Sequence, residues 1–413
     1  MKIRSITYFC NPRFPLNQKV LRRAGEFLHE ARQAYEAAGY EVQTTRLASI
    51  AFPKLLSAPQ LKQVPALARE LDMLIEQMDV GYASLGPALP AVPQSYEVIP
   101  EAVAATRNVF FGGLMTGRGR IDLAAIRLCA EVIARCAPID PNGFANLRFA
   151  ALANVAPGSP FLPAAYHEGA RPAFAIATEA ADLAVDAFTG AKTVTEGRKA
   201  LVAGIEKHAA ALSKVARSLT RGSGSGSRPS KAATTHFGGI DFSLAPYVSE
   251  RRSLGTAFER LGVARVGLHG SLAAAAILTE AIGRARFPRA GFSGLMLPVL
   301  EDATLAQRAA EGSLTVKDLL LFSAVCGTGL DTVPLPGDTT VDQLAAVLLD
   351  VAALAVRLQK PLTARLMPVP GRKAGEPTGF DFDYFSNSRV MRLDAETLSG
   401  PLGGRESFPL QAR

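Results

Sequence analysis

The sequence predicts an α/β fold with largely parallel strands, and three observations carry that reading. Apolar runs of strand length recur along the 413 residues, separated by amphipathic helical stretches, which is the alternation expected of βαβ units. Apolar residues make up 48% of the chain, enough for a large core. The longest apolar run, "SLAAAAILTEAI", is broken at Glu280, well short of the roughly twenty residues a membrane span needs. Alternation alone fits either a closed barrel or a doubly wound sheet.

Taken in order, "MKIRSITYF" alternates apolar and polar positions. It reads as a first strand rather than a secretory signal, so a cytoplasmic location is expected. "NQKVLRRAGEFLHEARQAYEAAG" has helical periodicity and stops at Gly39, "YEVQTTRLA" is a strand, and "LKQVPALARELDMLIEQM" is helical. "VFFGGLM" reads as a buried strand. In the helix "IDLAAIRLCAEVIARC", Cys129 and Cys136 are seven apart and share an apolar face, as packed thiols do. A strand "RFAALANV" and the loop "APGSPFLPAAYHEGARP" follow, then "FAIATEAADLAVDAF" and "VTEGRKALVAGIEKHAAALSKVARSLT" as helices. "RGSGSGSRPSKAATT", about residues 221–235, has the composition of a flexible insertion. Beyond it the alternation resumes with strands expected at "GGIDFSLAP", "VARVGLH", "GLMLPVL", "DTVPLP" and "LTARLMPVP". The whole of 1–413 reads as one large α/β domain.

The net charge of +8 is local: residues 191–231 hold nine Lys or Arg against two Glu. Without interleaved aromatics or a recognisable binding motif, this is read as a solvated helix face, and no nucleic-acid partner is expected. No membrane partner is expected either. The four cysteines lie in no metal-type spacing.

Four stretches carry candidate chemistry. In "VGLHGSLAAAA", a strand is expected to end at His269, with Gly270 and Ser271 opening a helix whose free N–H groups favour an anion. His269 would then be the general acid or base. In "GIDFSLAP", Asp241 and Ser243 are two apart and share one strand face, where a buried carboxylate must find partners. "AAYHEG" places His167 on a strand-end loop. "VCGTGLDTVPLPGDTT" holds Cys326 and Asp331 around a glycine turn, with Gly329 expected in a conformation that other residues avoid. Thr315 is expected to cap the helix before it, and Thr340 with Gln343 forms a capping box after it. Arg365 interrupts an apolar strand and calls for a carboxylate or phosphate, with Asp241 or Asp331 as possible counter-ions.

Together, "GIDFSLAP", "VGLHGS", "GFSGLMLPVLEDA", "CGTGLDTVPLPGDTT" and "ARLMPVPG" resemble a largely uncharacterised bacterial and archaeal family, domain of unknown function 711. The match runs in order over roughly residues 238 to 372, while the Gly/Ser-rich insertion and the tail "GFDFDYF" depart from the pattern. The resemblance implies a pyruvate formate-lyase-like fold, a ten-stranded α/β barrel with a loop threading its interior. It also raises Cys326 as a candidate on a central loop. The carboxyl-terminal "SGPLGGRESF" lacks the arginine- and tyrosine-flanked glycine of glycyl-radical enzymes, so radical chemistry is not expected. The expectation is an enzyme using acid–base chemistry on a small anionic metabolite, of lyase, isomerase or hydrolase class, working as a homo-oligomer. His269, Asp331, Asp241 and Cys326 are its catalytic candidates. Gly270, Ser271, Ser243, Arg365 and His167 are the substrate-binding ones, and a divalent metal held by the histidines and carboxylates is possible. The alternative is a non-catalytic metabolite sensor or scaffold using the same pocket.

Overall fold

The computed structural model describes residues 1–169, 171–221 and 235–412. Most of the expected flexible insertion, 222–234, lies outside the described residues. Twelve strands are described: β1 (Lys2–Phe9), β2 (Val42–Ala48), β3 (Tyr82–Ala88), β4 (Val109–Leu114), β5 (Thr116–Gly117), β6 (Arg120–Asp122), β7 (Phe149–Ala153), β8 (Ala173–Glu179), β9 (His236–Ala245), β10 (Gly329–Pro336), β11 (Leu362–Val369) and β12 (Ser407–Pro409). Nine of them form one sheet in the order β10-β11-β7-β4-β3-β2-β1-β8-β9. All neighbours pair in parallel except at two seams, β11 with β7 and β1 with β8. The fold is therefore mixed α/β with a large, mostly parallel sheet.

Side-chain alternation divides the sheet into two faces. Along β7, Phe149, Ala151 and Ala153 join the main core with the helices, while Ala150 and Leu152 point to the other face. There they meet the loop 155–169 that follows β7: Phe161 and Ala164 pack with Ala150 and Leu152, and Leu162 and Ala165 pack with Phe9, Ala48 and Phe110. A buried loop must account for its backbone polar groups. In "SPFLPAA", Pro160 and Pro163 have no N–H to satisfy, and the carbonyls of Pro160 and Ala165 accept from Thr7 and Ser84 hydroxyls at 3.2 and 2.7 Å.

Between the edge strands β9 and β10, the segment 289–299 is irregular rather than the regular strand expected of "GLMLPVL". It nevertheless forms a parallel bridge to each edge, Arg289 with Ile240 of β9 and Pro298 with Asp331 of β10.

Several local expectations hold. Asn17 caps the helix Gln18–Ala37, accepting from the N–H groups of Lys19 and Val20, and Gly39 after it has φ +86°. Thr315 and Thr340 form capping boxes with Asp318 and Gln343. Gly329 has φ +96°, and a methyl there would sit 2.2 Å from the Thr363 carbonyl oxygen, so no other residue fits. Cys129 and Cys136 are both buried in the helix Leu123–Cys136. In the helix Val194–Arg221, Leu201, Ile205, Ala209, Leu212 and Ala216 are buried, and Lys199, Lys207, Lys214 and Arg217 are exposed on its other faces.

Other expectations are corrected. The first half of "FAIATEAADLAVDAF" is β8, paired antiparallel with β1, and only Ala181–Phe188 is helical. Its alanines suit a strand because the sheet buries them on both faces. β3, "YASLGPA", gave little strand signal because Gly86 and Pro87 weaken the pattern. "VARVGLH" is a succession of turns, not a strand.

Candidate functional site

The strands β10 and β11 build the site's floor. In β11, Leu362, Ala364 and Leu366 face the main core, which leaves Arg365 on the loop-facing side. In β10 the register with β11 shifts between Leu330 and Val333, and Thr332 takes a φ of +42°. Asp331 lies within that irregularity, beside Arg365. The Arg365 Nε donates to Asp331 Oδ1 at 2.6 Å and a terminal nitrogen donates to Glu301 Oε1 at 2.7 Å. Arg4 of β1 donates to the other oxygen of Glu301.

The result is a buried chain, Asp331–Arg365–Glu301–Arg4, in which each charge has an opposite neighbour. Unpaired burial would cost several kcal/mol per ion. Burial pushes the Glu301 carboxyl up, but the guanidinium groups of Arg4 and Arg365 outweigh it and hold it below the usual carboxylate range. For Asp331 burial prevails over Arg365, and its carboxyl is raised. Its second oxygen, Oδ2, is buried with no hydrogen-bond partner among the described residues.

Above this floor opens a cleft with about 70 Å³ of room, lined by Arg4, Arg46, Arg365 and Glu301 together with Gln43 and Thr44. Its walls are aromatic: Tyr82, Phe110, Phe161 from the buried loop, and Phe382 and Tyr384 from the carboxyl-terminal tail. The tail is seated by Phe380 and Phe385, which pack with Phe144, Leu147, Leu300 and Met367. In "FDFDYF" the three phenylalanine rings pack inward, Asp381 and Asp383 are exposed, and Tyr384 stays partly exposed at the edge of the cleft.

Arg46 differs from the other two arginines. Its Nε donates to Thr44 Oγ1 at 2.9 Å and its guanidinium lies 5.8 Å from the Tyr82 ring centre. No carboxylate pairs with it among the described residues. Burial and then the like charge of Arg4 push its pKa down to about 10.

The candidates from sequence are distributed differently from the expectation. Arg365 and Asp331 meet. Asp241 and Ser243 do share one face of β9, and Ser243 donates to Asp241, but this pair holds the bridging segment. Asp241 accepts from the N–H groups of Phe292 and Ser293 at 3.0 and 2.9 Å. Neither Asp241 nor Ser243 lines the cleft.

His269 is exposed on a turn, and neither it, Gly270 nor Ser271 lines the cleft. Ser271 does not cap its helix toward a ligand: its hydroxyl donates to Leu268 O at 2.7 Å and accepts from Gly267 N at 3.0 Å. Cys326 is buried, its thiol raised by that burial, and Lys360 donates to its carbonyl oxygen. His167 is half-buried on the loop 155–169, its N–H donating to Ser49 O at 2.8 Å, and burial lowers its imidazole. Among the described residues, no group of three or more His, Cys, Asp or Glu converges to hold a metal, so the ligand set expected for a divalent ion is dispersed.

Arg4, Arg46 and Glu301 join the cleft without having been among the candidates expected from sequence. A usable signal was present, the same one that singled out Arg365: a charge set in an otherwise strand-like run, as in "KIRSITYF", "QTTRLA" and "PVLEDA".

A family model described as Uncharacterised ACR (DUF711) matches residues 1–386. Among curated relatives, the UPF0210 protein of Pyrobaculum arsenaticum is 36% identical over 68% of this chain and 61% of its own length. That of Pyrobaculum aerophilum is 38% identical over 63% of this chain and 56% of its own length. The match therefore spans about six tenths of these two relatives. The UPF0210 protein of Desulforudis audaxviator is 30% identical over 87% of this chain and 81% of its own length.

Proposed function

The chain belongs to the DUF711 family, and from the chemistry of its cleft we propose that it is an enzyme acting by acid–base chemistry on a small anionic metabolite, of lyase, isomerase or hydrolase class. The observation that carries this reading is Arg46, a cation on the cleft wall with which no carboxylate forms an ion pair among the described residues. A positive group held in a half-closed, partly apolar pocket favours an anionic ligand. Glu301 is the carboxylate lining the cleft, kept ionised by Arg4 and Arg365, and is assigned the role of base. Asp331 does not line the cleft and acts through Arg365 as a positioning residue.

We further propose the ten-stranded barrel, with 289–299 as the tenth strand. Its parallel bridges to both edges support this, since five strands would then run one way and five the other. The active form is proposed to be a homo-oligomer, which light scattering after size exclusion would test.

A second reading, a sensor or scaffold that binds without turnover, is favoured by one feature. The two guanidinium groups that keep Glu301 ionised also reduce its basicity. A thermal-shift screen of small anionic metabolites with and without divalent metal, followed by product analysis by mass spectrometry, separates the two. Turnover that is lost in Glu301→Gln while binding persists supports the enzyme. Binding with no product from any ligand supports the sensor, and no binding by any anion removes both.

A further inference from the structure

We propose that the ligand of this cleft is a short-chain monocarboxylate, its carboxylate on Arg46 and its carbon body against the aromatic walls. The inference rests on the anion-binding reading above and narrows it to one chemical class.

Three observations set the class. The first is charge. Arg4 and Arg365 are both committed to Glu301, and Arg365 also to Asp331, so of the three cleft arginines Arg46 is the one without an ion-pair partner among the described residues. One unpaired cation matches one negative charge, and a dianion such as phosphate would leave a charge uncompensated beside Glu301. A planar guanidinium fork also fits a planar carboxylate in a two-point contact. With Nε occupied by Thr44, the two terminal nitrogens of Arg46 are the pair that can make it.

The second is the wall chemistry. Tyr82, Phe110, Phe161 and Tyr384 offer rings, and apart from the charged floor and Gln43 and Thr44 the lining has few groups to hydrogen-bond a polyhydroxylated body. Tyr384 is 37% exposed at the rim, so the wall has one side chain able to adjust to chain length. The third is size. At about 10–15 Å³ of such space per water, a cleft of about 70 Å³ has room for roughly five to seven water-sized groups. A carboxylate with two or three further carbons fills that space.

Calorimetry on the full chain with acetate, butyrate, octanoate, butyramide and inorganic phosphate tests the class without any variant. Butyrate is expected to bind more tightly than acetate or octanoate, at least tenfold more tightly than the uncharged butyramide, and with phosphate not competing. Arg46→Gln is expected to weaken butyrate at least tenfold, and Tyr384→Ala severalfold, with circular dichroism unchanged. If phosphate binds more tightly than butyrate, or butyramide matches it, the monocarboxylate inference is overturned while an occupied cleft survives. If neither carboxylates nor phosphate bind, both this inference and the anion-binding reading fall.

Discussion

Replacing Arg365 by methionine tests the buried charge chain directly. Arg365 is 4% exposed and bonded to Asp331 and Glu301 at 2.6 and 2.7 Å. Methionine keeps much of the volume and removes the charge, leaving Asp331 without its counter-ion and Glu301 with Arg4 alone. Removing one partner of a buried pair costs about 3–5 kcal/mol. The cost should depend on pH in a defined sense. Burial already raises the Asp331 carboxyl in the folded protein against the opposing pull of Arg365, and the substitution removes that opposition. An acid raised on folding contributes stability that is fully present below its unfolded pKa and lost as pH rises through its folded one. The deficit of Arg365→Met relative to the parent should therefore be smaller near pH 5 than at pH 7.5, the difference growing by at most about 1.4 kcal/mol per pH unit for one proton. Urea unfolding followed by circular dichroism at both pH values measures it. A deficit under about 1 kcal/mol at pH 7.5, or one equal at the two pH values, would refute the reasoning. The double variant Arg365→Met/Asp331→Asn should recover part of the loss, because the orphaned charge is gone.

Asp241→Ala should cost about 2–5 kcal/mol, since it strands the N–H groups of Phe292 and Ser293. Denaturation measures that, and unchanged stability would show that Asp241 does not hold the bridging segment. His269→Ala should change stability by less than about 0.5 kcal/mol and leave anion binding intact, because the residue is exposed and away from the cleft. Cys326 is 1% exposed with a raised thiol, so iodoacetamide should alkylate it far more slowly in the folded protein than in urea. Rapid modification under native conditions, read by peptide mass spectrometry, would contradict its placement.

What could be read along the chain was whatever depends on near neighbours. The helix cap at Thr315, the capping box at Thr340, the shared face of Asp241 and Ser243, the shared helix face of Cys129 and Cys136 and the special backbone at Gly329 all followed from spacings of a few residues. So did the need of Arg365 for an acidic partner, though not which partner, because that is set by pairing β10 with β11 across 34 positions. The same limit explains His269. A glycine and a serine after an apolar run suggest a strand opening into a helix, but only the packed chain shows turns there and a histidine left in solvent. Arg4, Arg46 and Glu301 come from β1, β2 and the segment after 299, far apart in sequence. They form one cleft because a mostly parallel sheet brings distant strands side by side and sorts each residue to one face or the other. Alternation along a strand is local and legible. Which strands become neighbours, and so which charges share a pocket, is decided by the tertiary pairing.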